Sequence, residues 1–262
     1  MWVYLLFLFS ILILTLLCCF VPEAHVSFER SLFSRIPSTF SSITGIPNII
    51  HQTYTKKSRI PKKVYDNVKS YAPEYEHRIY DDAECETFIA THFPNNVLYT
   101  FRSLKLGAHK ADLFRYCVLY VHGGIYLDIK TELLSPLSQI IQPDANLTYL
   151  VLNFQKDHIY NGIIATPAQN DIFLKLIDFI VHTGNPPIYH LFCIDFYNQL
   201  KSDLQLPQIK PGLSKPYYIF EERCSRNARQ CCDHKLDRYG LCCHVYDKNV
   251  RIFKTRYSDY PW

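Results

Sequence analysis

The sequence predicts an α/β fold, a single domain with a sheet flanked by helices, and three observations predict it. Between Leu106 and Leu133 the chain, LGAHKADLFRYCVLYVHGGIYLDIKTEL, reads as helix, turn and strand. Upstream of that stretch, strand and helix patterns alternate, the order of an α/β domain. After the first 22 residues about 240 remain, and a composition of 48% hydrophobic and 20% charged residues gives a chain of that length a sizeable core.

The central stretch carries the clearest pattern. Phe114, Cys117, Val118 and Val121 recur at helical spacing, so a helix is expected from Ala111 to Val121. Gly123 and Gly124 end it, because only a residue without Cβ takes a left-handed cap without cost. Ile125–Ile129 is then a short strand. Alternation places Tyr126, Asp128 and Lys130 on one side of it. In open α/β sheets the ligand crevice lies beyond the carboxyl ends of the strands, which is where Asp128 falls.

The remaining elements follow in order. Residues 2–21 carry no charge and are long enough to cross a bilayer, so residues 1–22 are expected to be a signal anchor. Residues 23–45 read as a stem, and 46–262 as the domain. Ile49 and Ile50 form a first strand ending in His51 and Gln52. A helix over Pro61–Tyr71 has Val64, Val68 and Tyr71 on one face. A strand follows at Tyr75–Tyr80, then Asp81 and Glu84 make a capping box for a helix that buries Cys85, Phe88 and Ile89. Leu147–Leu152 and Ile159–Thr166 are strand-like. Pro167 opens a helix through Thr183 that Gly184 caps.

Ten cysteines bear on the compartment. Cys18 and Cys19 lie in the anchor, as packing residues or acylation sites. Cys224, Cys231, Cys232, Cys242 and Cys243 crowd into the segment 223–243, which has little apolar periodicity. Such a segment needs staples, either disulfides in an oxidising lumen or zinc with His234 and His244 as further ligands. The sequon Asn146-Leu147-Thr148 fits a luminal domain. Arg30 and Arg35 follow the apolar segment and no basic residue precedes it, so the cysteines and the sequon set the expected topology: single-pass type II, in the Golgi or endoplasmic reticulum membrane. A net charge of +4 is too small to argue for a nucleic-acid partner.

ADLFRY followed by GGIYLD, with IPNIIHQ upstream and NGIIATP downstream, resembles the DXD-motif sugar transferases related to initiation-type α-mannosyltransferases and clostridial glucosylating toxin domains (glycosyltransferase family 32-like). The resemblance runs from about Ile46 to Thr166. It implies a GT-A fold, a nucleotide-sugar donor, a glycan, glycoprotein or glycolipid acceptor, and a retaining transfer. It also implies site residues. Asp112 and Arg115, three apart on one helix face, would hold donor-sugar hydroxyls; read without the motif they are an intrahelical ion pair of roughly 0.2–0.5 kcal/mol. Tyr126 would lie near the ribose and Asn161 near the sugar or acceptor. His51 and Gln52 would help hold the nucleotide, or are polar strand ends. Ser258, Asp259 and Trp262 in RYSDYPW would close over the diphosphate.

A diphosphate leaving group accumulates negative charge as the glycosidic bond breaks, so a divalent metal or fixed cations must meet it. Asp128 is the expected ligand for Mn²⁺ or Mg²⁺. The family's second aspartate is replaced here by Lys130, which cannot ligate a cation. Either Lys130 takes over part of the metal's role, or Asp259 supplies the second ligand. A catalytically inactive relative that binds sugars or scaffolds other proteins is the alternative that Lys130 raises.

Overall fold

In a computed structural model, residues 45–142, 146–227, 240–257 and 259–260 are described. The expected anchor and the expected stem up to residue 44 lie outside them. So do Ser258 and Trp262, and with them Cys231, Cys232 and His234. Among the described residues no helix is long and apolar enough to cross a membrane.

The first half alternates as its sequence implies. Strand β1 (Ile49–Thr53) leads to helix α1 (Lys62–Tyr71), then to β2 (Glu76–Tyr80) and α2 (Asp82–His92). Both arms of the capping box are present: Glu84 N–H donates to Asp81 at 3.0 Å, and Asp81 N–H donates to Glu84 at 2.8 Å. Helix α3 (Asn95–Ser103) was not legible in the sequence. Helix α4 (Gly107–His122) begins a turn earlier than its apolar spacing shows and is buried almost all round, not along one stripe. The reason is tertiary: it packs against α2 and the strand that follows it on some sides and on others against α6 (Ile172–Thr183), which itself packs against α7 (Leu191–Asp203).

Gly123 and Gly124 join α4 to β3 (Gly124–Leu127) with φ of 64° and 92°. A Cβ on Gly123 would stand 2.5 Å from the Ala168 nitrogen, and one on Gly124 would stand 2.7 Å from the Ile49 carbonyl oxygen. The pair is therefore required twice, for backbone conformation and for close approach to the neighbouring chain.

After β4 (Glu132–Leu133) and the single turn α5 (Leu137–Ile140) come β5 (Thr148–Leu152) and β6 (Ile163–Thr166). The predicted strand from Ile159 is shorter than its apolar run. Ile159 makes only an isolated bridge to Leu152, and Tyr160–Gly162 leave the sheet. Helix α6 likewise starts at Ile172 and not at Pro167, with Gly184 as its cap at φ 63°.

The last third forms strands: β7 (Gly212–Ser214), β8 (Tyr217–Ser225), β9 (Cys242–Asp247) and β10 (Val250–Lys254). The sheet order is β2-β1-β3-β6-β5-β8-β9-β10-β4, with β7 beside β8. β2, β1 and β3 are parallel, β6 is antiparallel to both its neighbours, and β5 pairs parallel with β8. The Cys-rich segment is thus flanked by two paired strands, with Cys224 opposite Cys243 and a disulfide between them. Cys242 is disulfide-bonded as well. Glu222, Cys224 and Cys243 stand close enough to suggest a metal site, but the two sulfurs are bonded to each other and are not thiolate ligands.

Candidate active site

A cleft of about 360 Å³ opens beyond the carboxyl end of β3. Backbone bonds deliver Asp128 to it. Its N–H donates to the Gly162 carbonyl at 2.8 Å, and its carbonyl accepts from Thr131 N–H at 2.8 Å and from Gln52 Nε2 at 3.3 Å. The strand ends one residue short of Asp128, so the carboxylate stands at the rim and not within the sheet.

Arg115 organises the floor. Its Nε donates to the Ala111 carbonyl at 3.0 Å, and its Nη1 donates to the Asn161 carbonyl. Nη2 lies 3.2 Å from Asp128 Oδ1 and 3.4 Å from Asp112 Oδ1. The guanidinium carbon sits 4.4 Å from the centroid of the Tyr126 ring, whose hydroxyl is 2.9 Å from that of Thr53. Every nitrogen of the guanidinium is thus engaged, and Arg115 acts as the clamp between two carboxylates. Its planar fork makes this possible; an ammonium is a point charge and could not hold all three directions.

The two carboxylates differ in environment. Burial raises the Asp112 pKa above the usual carboxylate range, by more than Arg115 and the Asn161 amide lower it. Burial also opposes ionisation of Asp128, but Arg115 and Lys130 together outweigh it and hold its pKa below that range. Lys130 Nζ lies 3.4 Å from Asp128 Oδ2 and 5.8 Å from the centroid of the Tyr160 ring.

Asn161 completes the wall. Its amide Nδ2 donates to Asp112 Oδ1 at 3.0 Å and to the Tyr116 hydroxyl at 2.7 Å, while its Oδ1 is buried with no hydrogen-bond partner. A buried acceptor left unpaired costs on the order of 1–3 kcal/mol, so this atom is where a ligand hydroxyl would be welcome.

His51 and Gln52, expected at the nucleotide, stand behind the cleft and do not line it. His51 is fully buried. Its Nε2 donates to the Gly123 carbonyl at 3.1 Å and its Nδ1 accepts from the Tyr80 hydroxyl at 3.1 Å, while burial lowers its pKa to about 3 and keeps it neutral. It fixes the glycine turn that aims β3. Gln52 bridges His77 and the Asp128 carbonyl. Asp259 is also off the cleft, 65% exposed at its side chain and paired with Lys63. The segment around it does reach the site, since Tyr257 N–H donates to the Lys130 carbonyl at 3.0 Å and Tyr260 lines the cleft.

Sequence reasoning missed several lining residues, among them Lys110, His158, Tyr160 and His190. The rings of His158 and His190 stack with centroids 5.1 Å apart, and Asp157 accepts from His158 Nδ1 at 2.8 Å. His158 and Tyr160 stand just before Asn161, so the NGIIATP motif extended a few residues upstream would have pointed to them.

A mixed sheet, helices on its faces and an acidic strand end facing a cleft define this protein as having the GT-A glycosyltransferase fold. A solved structure described as PaToxG Glycosyltransferase is similar with a TM-score of 0.50 at 18% identity, covering 69% of this chain and 76% of that one. Residues 59–147 match the family model described as a glycosyltransferase sugar-binding region containing the DXD motif, which bears out the resemblance carried by ADLFRY and GGIYLD. Inositol phosphoceramide mannosyltransferase 3 of Schizosaccharomyces pombe is 41% identical over 88 residues, 32% of this chain and 24% of that protein. Mannosyl phosphorylinositol ceramide synthase CSH1 of Saccharomyces cerevisiae is 31% identical over 140 residues, 52% of this chain and 36% of that protein. The chain thus spans about a quarter to a third of the length of these two relatives.

DXD-type glycosyltransferases generally use a divalent metal. The residues here do not fit one. Each Asp128 oxygen faces a cation, the motif's second carboxylate is Lys130, and Asp259 is turned to Lys63. Hard cations take several oxygen ligands, and the motif carboxylate of this cleft, Asp128, is already neutralised from two sides.

Proposed function

We propose that this chain is a retaining glycosyltransferase that moves a sugar from a nucleotide-sugar donor to a glycan or glycolipid acceptor in the secretory pathway. The observation that carries the reading is the Asp112–Arg115–Asp128 clamp beside the unpartnered Asn161 Oδ1, at the carboxyl end of β3. The names of the two yeast relatives, both glycolipid mannosyltransferases or synthases, support a hexose donor and a lipid-linked acceptor. The Cys224–Cys243 disulfide and the exposed Asn146 of the sequon support a luminal site, reached through the anchor expected at residues 1–22.

In this reading Asp112 and Asn161 take donor-sugar hydroxyls, which strengthens binding where the sugar acquires positive charge. Arg115 positions both carboxylates. Transfer proceeds on one face of the sugar: the bond from the anomeric carbon to the diphosphate oxygen breaks, the acceptor oxygen bonds to that carbon, and its proton passes to the departing diphosphate. Asp112 is held by Arg115 and Asn161, and Asp128 by Arg115 and Lys130, so neither is a free nucleophile for a double displacement.

Hydrolysis and transfer assayed over a panel of nucleotide sugars test the reading. Turnover of at least one donor, lost in Asp112→Asn, is the expected result. Donor binding without turnover for every donor and acceptor tried would favour the inactive, sugar-binding alternative that Lys130 raises.

A further inference from the structure

Among the described residues six charged side chains line the cleft, and their signs decide what it takes. Asp82, Asp112 and Asp128 face Lys110, Arg115 and Lys130, so the formal charges cancel. With an aspartate at position 130 there would be two cations against four carboxylates, a surplus of two negative charges that suits a divalent ion. Lys130 removes that surplus. It is not turned away from the site, since its Nζ lies 3.4 Å from Asp128 Oδ2, and its side chain is 24% exposed. The backbone fixes it there too, because the Lys130 carbonyl accepts from Tyr257 N–H. Asp128 needs no metal to be held, being clamped by Arg115 and Lys130.

We propose that Lys130 binds the diphosphate of the donor directly and that this cleft works without a divalent cation. An ammonium supplies the positive charge that a leaving diphosphate requires, and its charge-assisted hydrogen bonds to phosphate oxygens replace metal coordination. Asp128 then serves to orient the ammonium. The inference rests on the transferase reading, and it names the group that meets the leaving charge.

Two measurements on the purified full-length protein test it. The first is binding of UDP, GDP, ADP and CDP by calorimetry, in EDTA and in Mn²⁺. The expected result is that at least one nucleoside diphosphate binds equally in both, that Lys130→Ala weakens it by at least ~10-fold, and that Lys130→Arg restores part of it. The second is direct Mn²⁺ titration followed by electron paramagnetic resonance. Wild type should show no saturable binding with or without the nucleotide, whereas Lys130→Asp should acquire a site when nucleotide is present. Nucleotide binding by the wild type that requires Mn²⁺ would overturn the metal-free proposal and leave the transferase reading standing. No nucleoside diphosphate bound under either condition would overturn both.

Discussion

Lys130 sets its ammonium 3.4 Å from the Asp128 carboxylate, two residues back along the same chain. The second motif position therefore neutralises the first where a paired aspartate would add to its charge. At about 4 Å and an effective dielectric near 20, each such charge contact is worth about 4 kcal/mol before solvent screening, enough to decide whether a cation enters.

Asp128→Asn should leave the fold intact and lower turnover by at least ~100-fold, because the amide keeps the shape but loses the charge that orients Lys130 and Arg115. Circular dichroism and a thermal melt check the fold, and initial rates with the preferred donor check the chemistry. Normal turnover in a folded Asp128→Asn protein would dismantle the site assignment.

Arg115→Gln should cost about 3–5 kcal/mol, since it leaves the buried Asp112 and the half-buried Asp128 without their shared cation. The pH dependence carries the sign. Without Arg115, burial acts on Asp112 with less to oppose it and Asp128 loses the largest of the charges that hold its pKa down, so the penalty is largest at neutral pH and shrinks as pH falls toward the carboxylate range. Urea denaturation of variant and wild type at pH 7.5 and 5 measures it. An equal difference at the two pH values would show that packing, not charge, is lost.

His51 gives the wild type an acid-sensitive step. Its folded pKa of about 3 lies below the ordinary 6.5, so between those values the unfolded chain binds more protons and stability falls as pH falls. From pH 7 to pH 5 the loss from this residue should be about 2 kcal/mol. His51→Gln, which keeps a donor for the Gly123 carbonyl, should lose that much less over the same interval in denaturant titrations.

Thiol titration of the denatured protein should find Cys85, Cys117 and Cys193 free, and Cys224, Cys242 and Cys243 oxidised. Replacing Cys224 and Cys243 together by serine should cost roughly 3 kcal/mol, given a loop of 19 residues, and lower the melting temperature accordingly. Reactive thiol at Cys224 and Cys243 with bound zinc would reverse the assignment.

Much of the frame is local, and local patterns were legible. The capping box at Asp81, the glycine caps at Gly123 and Gly184, and the placement of Asp128 at a strand end all follow from backbone rules that act over a few residues. The strands β8 to β10 were not legible, because their sequence mixes Glu, Arg, Lys and His with the apolar residues, and pairing with distant strands, not alternation, makes them a sheet. The apolar spacing of α4 marks one face, and elements distant in sequence cover the others, while Asp112 and Arg115 line the cleft.

By itself the sequence determined the α/β order, the glycine-ended helix, the cysteine staple and the residue types of the site, since these depend on short-range geometry and on chemistry each residue carries with it. Only the tertiary structure decided which of those residues meet. It turned His51 inward to brace Gly123 and joined Asp259 to Lys63, and it brought Asn161 up to Asp112 across 49 residues of chain. The orientation of Lys130 was decided the same way. Alternation places residues 128 and 130 on one side of a strand, but the strand ends at Leu127, and the contact between the two side chains comes from the turn after it. Distance in space, which sets every charge interaction in the cleft, is fixed by how strands pair and helices pack, and sequence spacing does not carry it.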